Sequence, residues 1–425
     1  MASIILSFVG NQDPFSKFDD EGPLVSFLRH MLTNRHEISK VMLLYTEGTK
    51  KGAFDTRDWM STELGLDKVA VELVAVSEDL SNDPTDLLKT AQEARRGLDR
   101  LQANIGKGDR IEFNASSGTP AMKSAFSLLQ AAGYVVNGQV WQVRNPKEMK
   151  QGQKHVFETD VSVLRREFEL KVLRGQVEAF NYSAAFATLN DANLSGYFPA
   201  LSGLLKAGEA WQRGEFDAFW RLAKGYFELD GEKNQGEQWW WMAYEQAYTA
   251  VVRLRQGNTS EAMQHSFRAV EGTLWIWAVT AFPQEVVERD DQYPLLKPAI
   301  LNRHPSLRSR YEEQSQRSAN VELKGYLLRD LLEAEIAAAS GKGFSEYWRT
   351  ARVARNLLSH RLGGISEQQV LQAWGMDLKT EKAWQQRIIG CLNLLTGKQF
   401  GSLETASLFA KLHQKVLIAI ASYQP

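Results

Sequence analysis

Five short apolar runs recur through the first 160 residues, separated by stretches of helical periodicity. The runs are Ile4 to Val9, Val41 to Tyr45, Val69 to Val76, Arg110 to Asn114 and Val135 to Val143. The helical patterns lie around Pro23 to Leu32, Thr56 to Leu64, Pro84 to Asn104 and Pro120 to Ala132. Such strand–helix alternation predicts a mostly parallel sheet covered by helices, a Rossmann-like α/β architecture. In sheets of this kind ligands bind beyond the carboxyl ends of the strands.

The expected strand ends carry distinctive residues. The first leads into Gly10-Asn11-Gln12-Asp13-Pro14-Phe15 and the second into Thr46-Glu47-Gly48-Thr49. The fourth leads into Asn114-Ala115-Ser116-Ser117-Gly118-Thr119-Pro120-Ala121-Met122-Lys123. There Thr119 is a good N-cap and Pro120 suits the first helical position. Backbone N–H groups at such a helix start favour phosphate, Gly118 permits close approach, and Ser116, Ser117 and Thr119 add hydroxyls. A plain strand–helix connection is the competing reading. No G-x-G-x-x-G follows the first strand, which disfavours a nicotinamide enzyme. No P-loop is present, and Lys123 sits too far into its helix to act as a Walker lysine.

From Val161 onward the strand signals disappear. Helical periods run over Val163 to Phe180, Phe198 to Arg213, Phe216 to Phe227, Trp239 to Gln256 and Ser260 to Phe282. They continue over Glu322 to Ala339, Phe344 to His360, Glu381 to Thr396 and Leu403 to Ser422. At 425 residues two or three domains are expected, and the boundary falls at 1–160 and 161–425. The tryptophans of this half, including Trp239-Trp240-Trp241, Trp275 and Trp277, are expected in the core. The proline-bearing segment from Phe282 to Arg310 reads as a linker or functional loop whose arginines are solvated or touch RNA. Arg268 and Glu271 have the spacing of a pair on one helix face.

A net charge of −1 gives no global basic field, so any RNA-binding surface must be local. The single cysteine, Cys391, excludes an internal disulfide and a cysteine-based zinc site. The first ten residues lack a basic n-region and no apolar run reaches membrane-spanning length, so a cytoplasmic location is expected.

One cluster in the helical half carries chemistry: Arg355-Asn356-Leu357-Leu358-Ser359-His360, stopped by Gly363-Gly364. Arginine offers a permanently charged fork for phosphate oxygens, and histidine moves a proton near neutral pH. Together they supply what RNA cleavage needs without a metal. The plainer reading is a helix end, where cations complement the dipole and glycine ends the helix.

The order of these motifs resembles the CARF–HEPN ribonucleases of type III CRISPR systems, over essentially the whole chain. The resemblance implies an N-terminal CARF domain that binds a cyclic oligoadenylate, through Gly10, Asn11, Gln12, Asp13, Thr46, Ser116, Ser117, Gly118, Thr119 and Met122. It implies a C-terminal HEPN domain that cleaves single-stranded RNA, with the R-x-x-x-x-H motif at Arg355 and His360 and the family's frequent asparagine at Asn356. His360 would serve proton transfer, Arg355 phosphate charge, and Asn356 the motif's geometry. A 2′,3′-cyclic phosphate product follows from attack by the internal hydroxyl. A homodimer is expected, since one Arg/His pair supplies too little for both proton transfers. Beyond this allosteric activator no cofactor, metal, membrane or stable DNA partner is expected, and cyclic tetra-adenylate is favoured over hexa-adenylate. Several such CARF domains degrade their activator, and Asn11, Thr46 and Ser117 could position a ribose for that. The alternatives are a non-catalytic nucleotide-sensing regulator of the same architecture and a small-molecule enzyme of the α/β half.

Overall fold

The computed structural model describes residues 2–16, 21–66, 69–103, 105–106, 108–135, 137–191, 194–196, 198–227, 234–290, 292–360 and 362–422, with the side chains of 195, 340 and 359 outside that description. The chain divides into two compact units, one reaching to Lys171 and one from Val172.

In the first unit the strands are β1 (Ser3–Phe8), β2 (Ile38–Tyr45), β3 (Ala70–Ala75), β4 (Arg110–Asn114), β5 (Gly138–Val143) and β6 (Val156–Thr159). They form one sheet in the order β3-β2-β1-β4-β5-β6. All neighbours pair parallel except β5 with β6. The main helices are α1 (Pro23–Thr33), α2 (Lys50–Glu63), α3 (Glu78–Asn82), α4 (Leu87–Gln102) and α5 (Pro120–Ala131). Side-chain alternation along β1 explains the two layers. Ile4, Leu6 and Phe8 enter a core with α4 and α5, while Ile5 and Val9 enter another with α1 and α2. Phe126 of α5 packs 5.2 Å from both Phe8 and Phe113. Burying each such ring is worth about 1.5–3 kcal/mol.

The five expected strands are all present, and β6 is an addition. It is only four residues long and follows a polar hairpin, so its period of two had little length in which to register. Helix α2 starts at Lys50, six positions before the expected Thr56. The start of α4 is fixed by Asp86, whose side chain accepts the Lys89 N–H at 3.0 Å.

The second unit is helical, with one correction. Val286–Val287 pairs antiparallel with Leu295–Leu296, a hairpin too short to show a pattern in sequence. The proline-bearing segment is neither linker nor open loop. It continues through short turns at Ile300–Arg303 and Pro305–Leu307 into the Arg308–Arg317 helix. Its arginines are spent on carboxylates: Arg289 on Glu322, Arg303 on Glu335, Arg308 on Glu312 and Arg310 on Asp330. Trp240, Trp241 and Trp277 are buried, as their apolar size requires, whereas Trp239 and Trp275 are only half-buried.

The core of this unit is organised around buried Glu245 on the Trp241–Arg255 helix. Its carboxylate accepts from Trp211 Nε1 (2.8 Å), Ser407 Oγ (2.8 Å) and the N–H groups of Leu408 (2.6 Å) and Phe409 (3.3 Å). It thereby caps the Leu408–Ala421 helix from a distance in sequence. Burial pushes its carboxyl up to about 7 against these donors. Among the described residues no helix is long and apolar enough to cross a membrane.

Candidate functional site

Two clusters fall where the sequence directs attention, one in each unit. In the first, parallel pairing of β1 with β4 sets Ser7 beside Asn114. The loops that follow these strands therefore run side by side at the switch point of the sheet. Their approach is close enough to require glycine. A Cβ on Gly10 would lie 2.5 Å from the Gly118 nitrogen, and one on Gly22 would lie 2.1 Å from the Gln12 carbonyl oxygen. Gly118 itself has φ +87°, in the left-handed region.

Polar side chains then lock the loops. Asp13 is buried, and its two oxygens accept the N–H groups of Gly10 (2.9 Å) and Leu24 (3.0 Å). Burial pushes the Asp13 carboxyl up, while these two donors, the Ser117 hydroxyl and the Lys123 charge pull it down. The Asn114 amide donates to Ser7 Oγ and Ser117 Oγ, each at 3.0 Å, and its oxygen accepts the Ser116 N–H at 3.1 Å. Val143 N–H donates to Ser116 Oγ at 2.6 Å. Thr119 Oγ1 donates to the Pro84 carbonyl (2.7 Å) and accepts the Met122 N–H (3.3 Å), as its N-cap role requires.

The loops enclose a cavity of about 250 Å³. Gly10, Asn11, Gln12, Asp13, Ser116, Ser117, Gly118 and Thr119 all line it. Thr46 and Met122 do not. Thr46 is buried and bonds Thr49, 3.2 Å between hydroxyls, and Thr49 forms the wall. Met122 packs into the core beneath Gly118. Lys123 lines the cavity with an exposed ammonium that makes no ion pair among the described residues. Its spacing of four from Thr119, one helical turn, was the signal available in sequence.

The second cluster sits on the Arg352–His360 helix, which follows a π-helical turn over Tyr347–Ala351. The Thr350 hydroxyl lies 2.8 Å from the Glu346 carbonyl and 2.7 Å from that of Ala373, which accompanies the widened turn. Tyr347 stacks on Phe267 with ring centroids 5.0 Å apart. The Arg355 guanidinium lies 5.1 Å from the centroid of Phe267, and its Nη1 donates to Asn356 Oδ1 at 3.0 Å. Asn356 thus bonds the arginine beside it.

Glu271, one turn along from Phe267, corrects the expected pair with Arg268. Burial pushes the Glu271 carboxyl up, and Arg355 and Arg352 pull it down. Arg268 is exposed and makes no ion pair with Glu271 among the described residues. Val353, Asn356, Leu357 and His360 share one helix face by spacing, and all four are exposed. Val353 is 50% and Leu357 45% exposed, so apolar surface flanks the motif in water. Among the described residues no group of three or more His, Cys, Asp or Glu could hold a metal ion.

A Rossmann-like sheet domain followed by a mainly helical one defines the fold class. No protein-family model matches the chain, and no curated protein matches it either. Among solved structures the fold is that of Csm6 from Enterococcus italicus, captured "bound to cyclic hexa-2'-fluoro-hexa-dAMP". The TM-score is 0.68 over 99% of this chain and 100% of that one, at 15% sequence identity.

Proposed function

We propose that this protein is a CARF–HEPN endoribonuclease of type III CRISPR defence, switched on by a cyclic oligoadenylate. The observation that carries the reading is the strand-end cavity. It combines glycine-permitted loop contact, the start of α5 and Lys123, which makes no ion pair among the described residues, and this suits a phosphate-bearing ligand. The fold likeness to a protein captured with a cyclic nucleotide supports the same assignment. Cyclic tetra-adenylate is the ring proposed first, and hexa-adenylate, whose analogue the Csm6 structure contains, is the alternative.

Cleavage is assigned to the helical domain and to metal-free chemistry. The 2′-hydroxyl of the RNA attacks its own phosphorus, giving a 2′,3′-cyclic phosphate and a 5′-hydroxyl. His360 transfers protons, and Arg355 stabilises charge on the phosphate. A second copy of the chain would supply the second histidine and arginine. The exposed face of Val353, Asn356, Leu357 and His360 is the proposed place for it, because it joins apolar surface to the motif. Degradation of the activator in the cavity would use Asn11 and Ser117, while Thr46 acts through Thr49.

The test is RNA cleavage in EDTA with tetra-adenylate, with hexa-adenylate and with neither, alongside His360→Ala. Stimulation by one ring that disappears in the variant is expected. A ring that binds without cleavage in any condition leaves a nucleotide sensor and removes the nuclease.

A further inference from the structure

In the helical unit a row of aromatic rings and cations starts at the Arg355 motif and leads away from it. Phe267, Glu271 and Trp275 stand four residues apart on the Thr259–Ala281 helix and so share one face. Arg355 lies over Phe267, and Arg352, one turn earlier on its own helix, joins it in pulling down the Glu271 carboxyl. The Arg352 guanidinium also lies 5.4 Å from the ring centroid of Tyr326, and that of Arg310 lies 5.1 Å from the same ring. Farther along, Lys324 Nζ lies 4.8 Å from the centroid of Tyr293, which meets Trp275 edge-on at 5.2 Å.

Cations outnumber carboxylates in these contacts. Arg310 is paired with Asp330, whereas Arg352 makes no ion pair among the described residues. Glu322 is shared between Lys324 and Arg289. In a chain of net charge −1 this is a local basic surface. Tyr326 is 55% exposed, and its hydroxyl makes no hydrogen bond among the described residues. The ring therefore presents its face to water beside two guanidinium groups. An acidic peptide would engage the cations and leave the rings idle. Single-stranded nucleic acid uses both, since phosphates meet the cations and unpaired bases stack on the aromatic faces.

We infer that Tyr326, with Arg310 and Arg352 beside it, is a stacking site for an unpaired base of the RNA substrate, flanking the phosphate held at Arg355. This rests on the ribonuclease reading and adds where the substrate is gripped outside the cleavage motif.

The experiment measures binding of a labelled single-stranded RNA of mixed sequence to the full chain carrying His360→Ala, which keeps the RNA intact. It is run with cyclic tetra-adenylate and, separately, with hexa-adenylate. Adding Tyr326→Ala is expected to weaken RNA binding about tenfold, and adding Tyr326→Phe, which keeps the ring, to preserve it. Arg352→Ala is expected to lower the slope of log affinity against log salt by about one. Thermal melting and sedimentation of each variant report its folding and its oligomeric state. Undiminished RNA affinity in both Tyr326→Ala and Arg352→Ala would overturn the stacking site and leave the ribonuclease reading intact, because cleavage by the unsubstituted chain judges that reading. Conversion of a dimer to a monomer by Tyr326→Ala would also overturn the site, by making the ring a contact between copies. An unsubstituted chain that neither cleaves nor binds RNA with either ring would overturn both.

Discussion

The strand-end cavity and the Arg355 helix differ in how their side chains are held. Around the cavity, Asp13, Asn114, Ser116 and Thr119 each bond a backbone or side-chain partner within 3.3 Å, and glycines allow the loops to meet. The wall is thus held by bonds within the chain, and preorganisation of this kind would lower the cost of binding the proposed activator. On the helix, Arg355 lies over the Phe267 ring and Arg352 over that of Tyr326, while His360 is exposed on a face shared with Val353 and Leu357. The cavity wall is built within one chain, whereas the helix presents an exposed face that the proposed second copy would cover.

The contrast can be broken most sharply at His360. Because this residue is exposed, His360→Ala should lower single-turnover RNA cleavage by about 10²–10⁴-fold with an unchanged melting temperature. A matching loss of stability would show that the helix end is structural. Gly118→Ala tests the opposite property in the cavity. A Cβ there meets Met122 Sδ at 2.5 Å in a backbone conformation suited to glycine, so urea denaturation should show a loss of about 1–3 kcal/mol, together with weaker ring binding.

A pH series separates the helical core from its exposed helix end. Buried His413 bonds the Tyr182 hydroxyl at 2.8 Å, and burial pushes its pKa down to about 4. The unfolded chain takes up that proton first, near pH 6.5, as the pH falls. Stability from this group is therefore full above pH 6.5 and lost toward pH 4, by about 2 kcal/mol at pH 5. The difference between wild type and His413→Gln in urea midpoints at pH 7 and pH 5 measures it. The smallest effect belongs to Arg268→Ala, which should change stability by less than about 0.5 kcal/mol, because this side chain is exposed and makes no ion pair with Glu271 among the described residues. A larger loss in thermal melting would restore the Arg268–Glu271 pair.

Periodic features were readable along the chain. Apolar residues run continuously in the centres of β1 and β2 and are interrupted by polar ones in β3, β4 and β5, and both patterns made these strands visible; the Thr119-Pro120 start of α5 was written in its capping chemistry. Features only one or two periods long were not: β6 and the Val286–Val287 hairpin each fall below the length at which a pattern shows. The Arg268–Glu271 pair failed for a different reason. Spacing on one helix states which partner is available, and burial against a neighbouring helix decides which partner is used.

The sequence by itself determined the alternation of β1 to β5 with their helices and the two-part architecture. Local propensity and hydrophobic period are properties of neighbours in the chain. Only the tertiary structure decided that Thr46 and Met122 lie behind the cavity wall while Thr49 and Lys123 line it. It also decided that Phe267 underlies Arg355 and that the segment after Phe282 spends its arginines on its own carboxylates. These are meetings between residues distant in sequence, selected by sheet register and helix packing, and no local pattern encodes them.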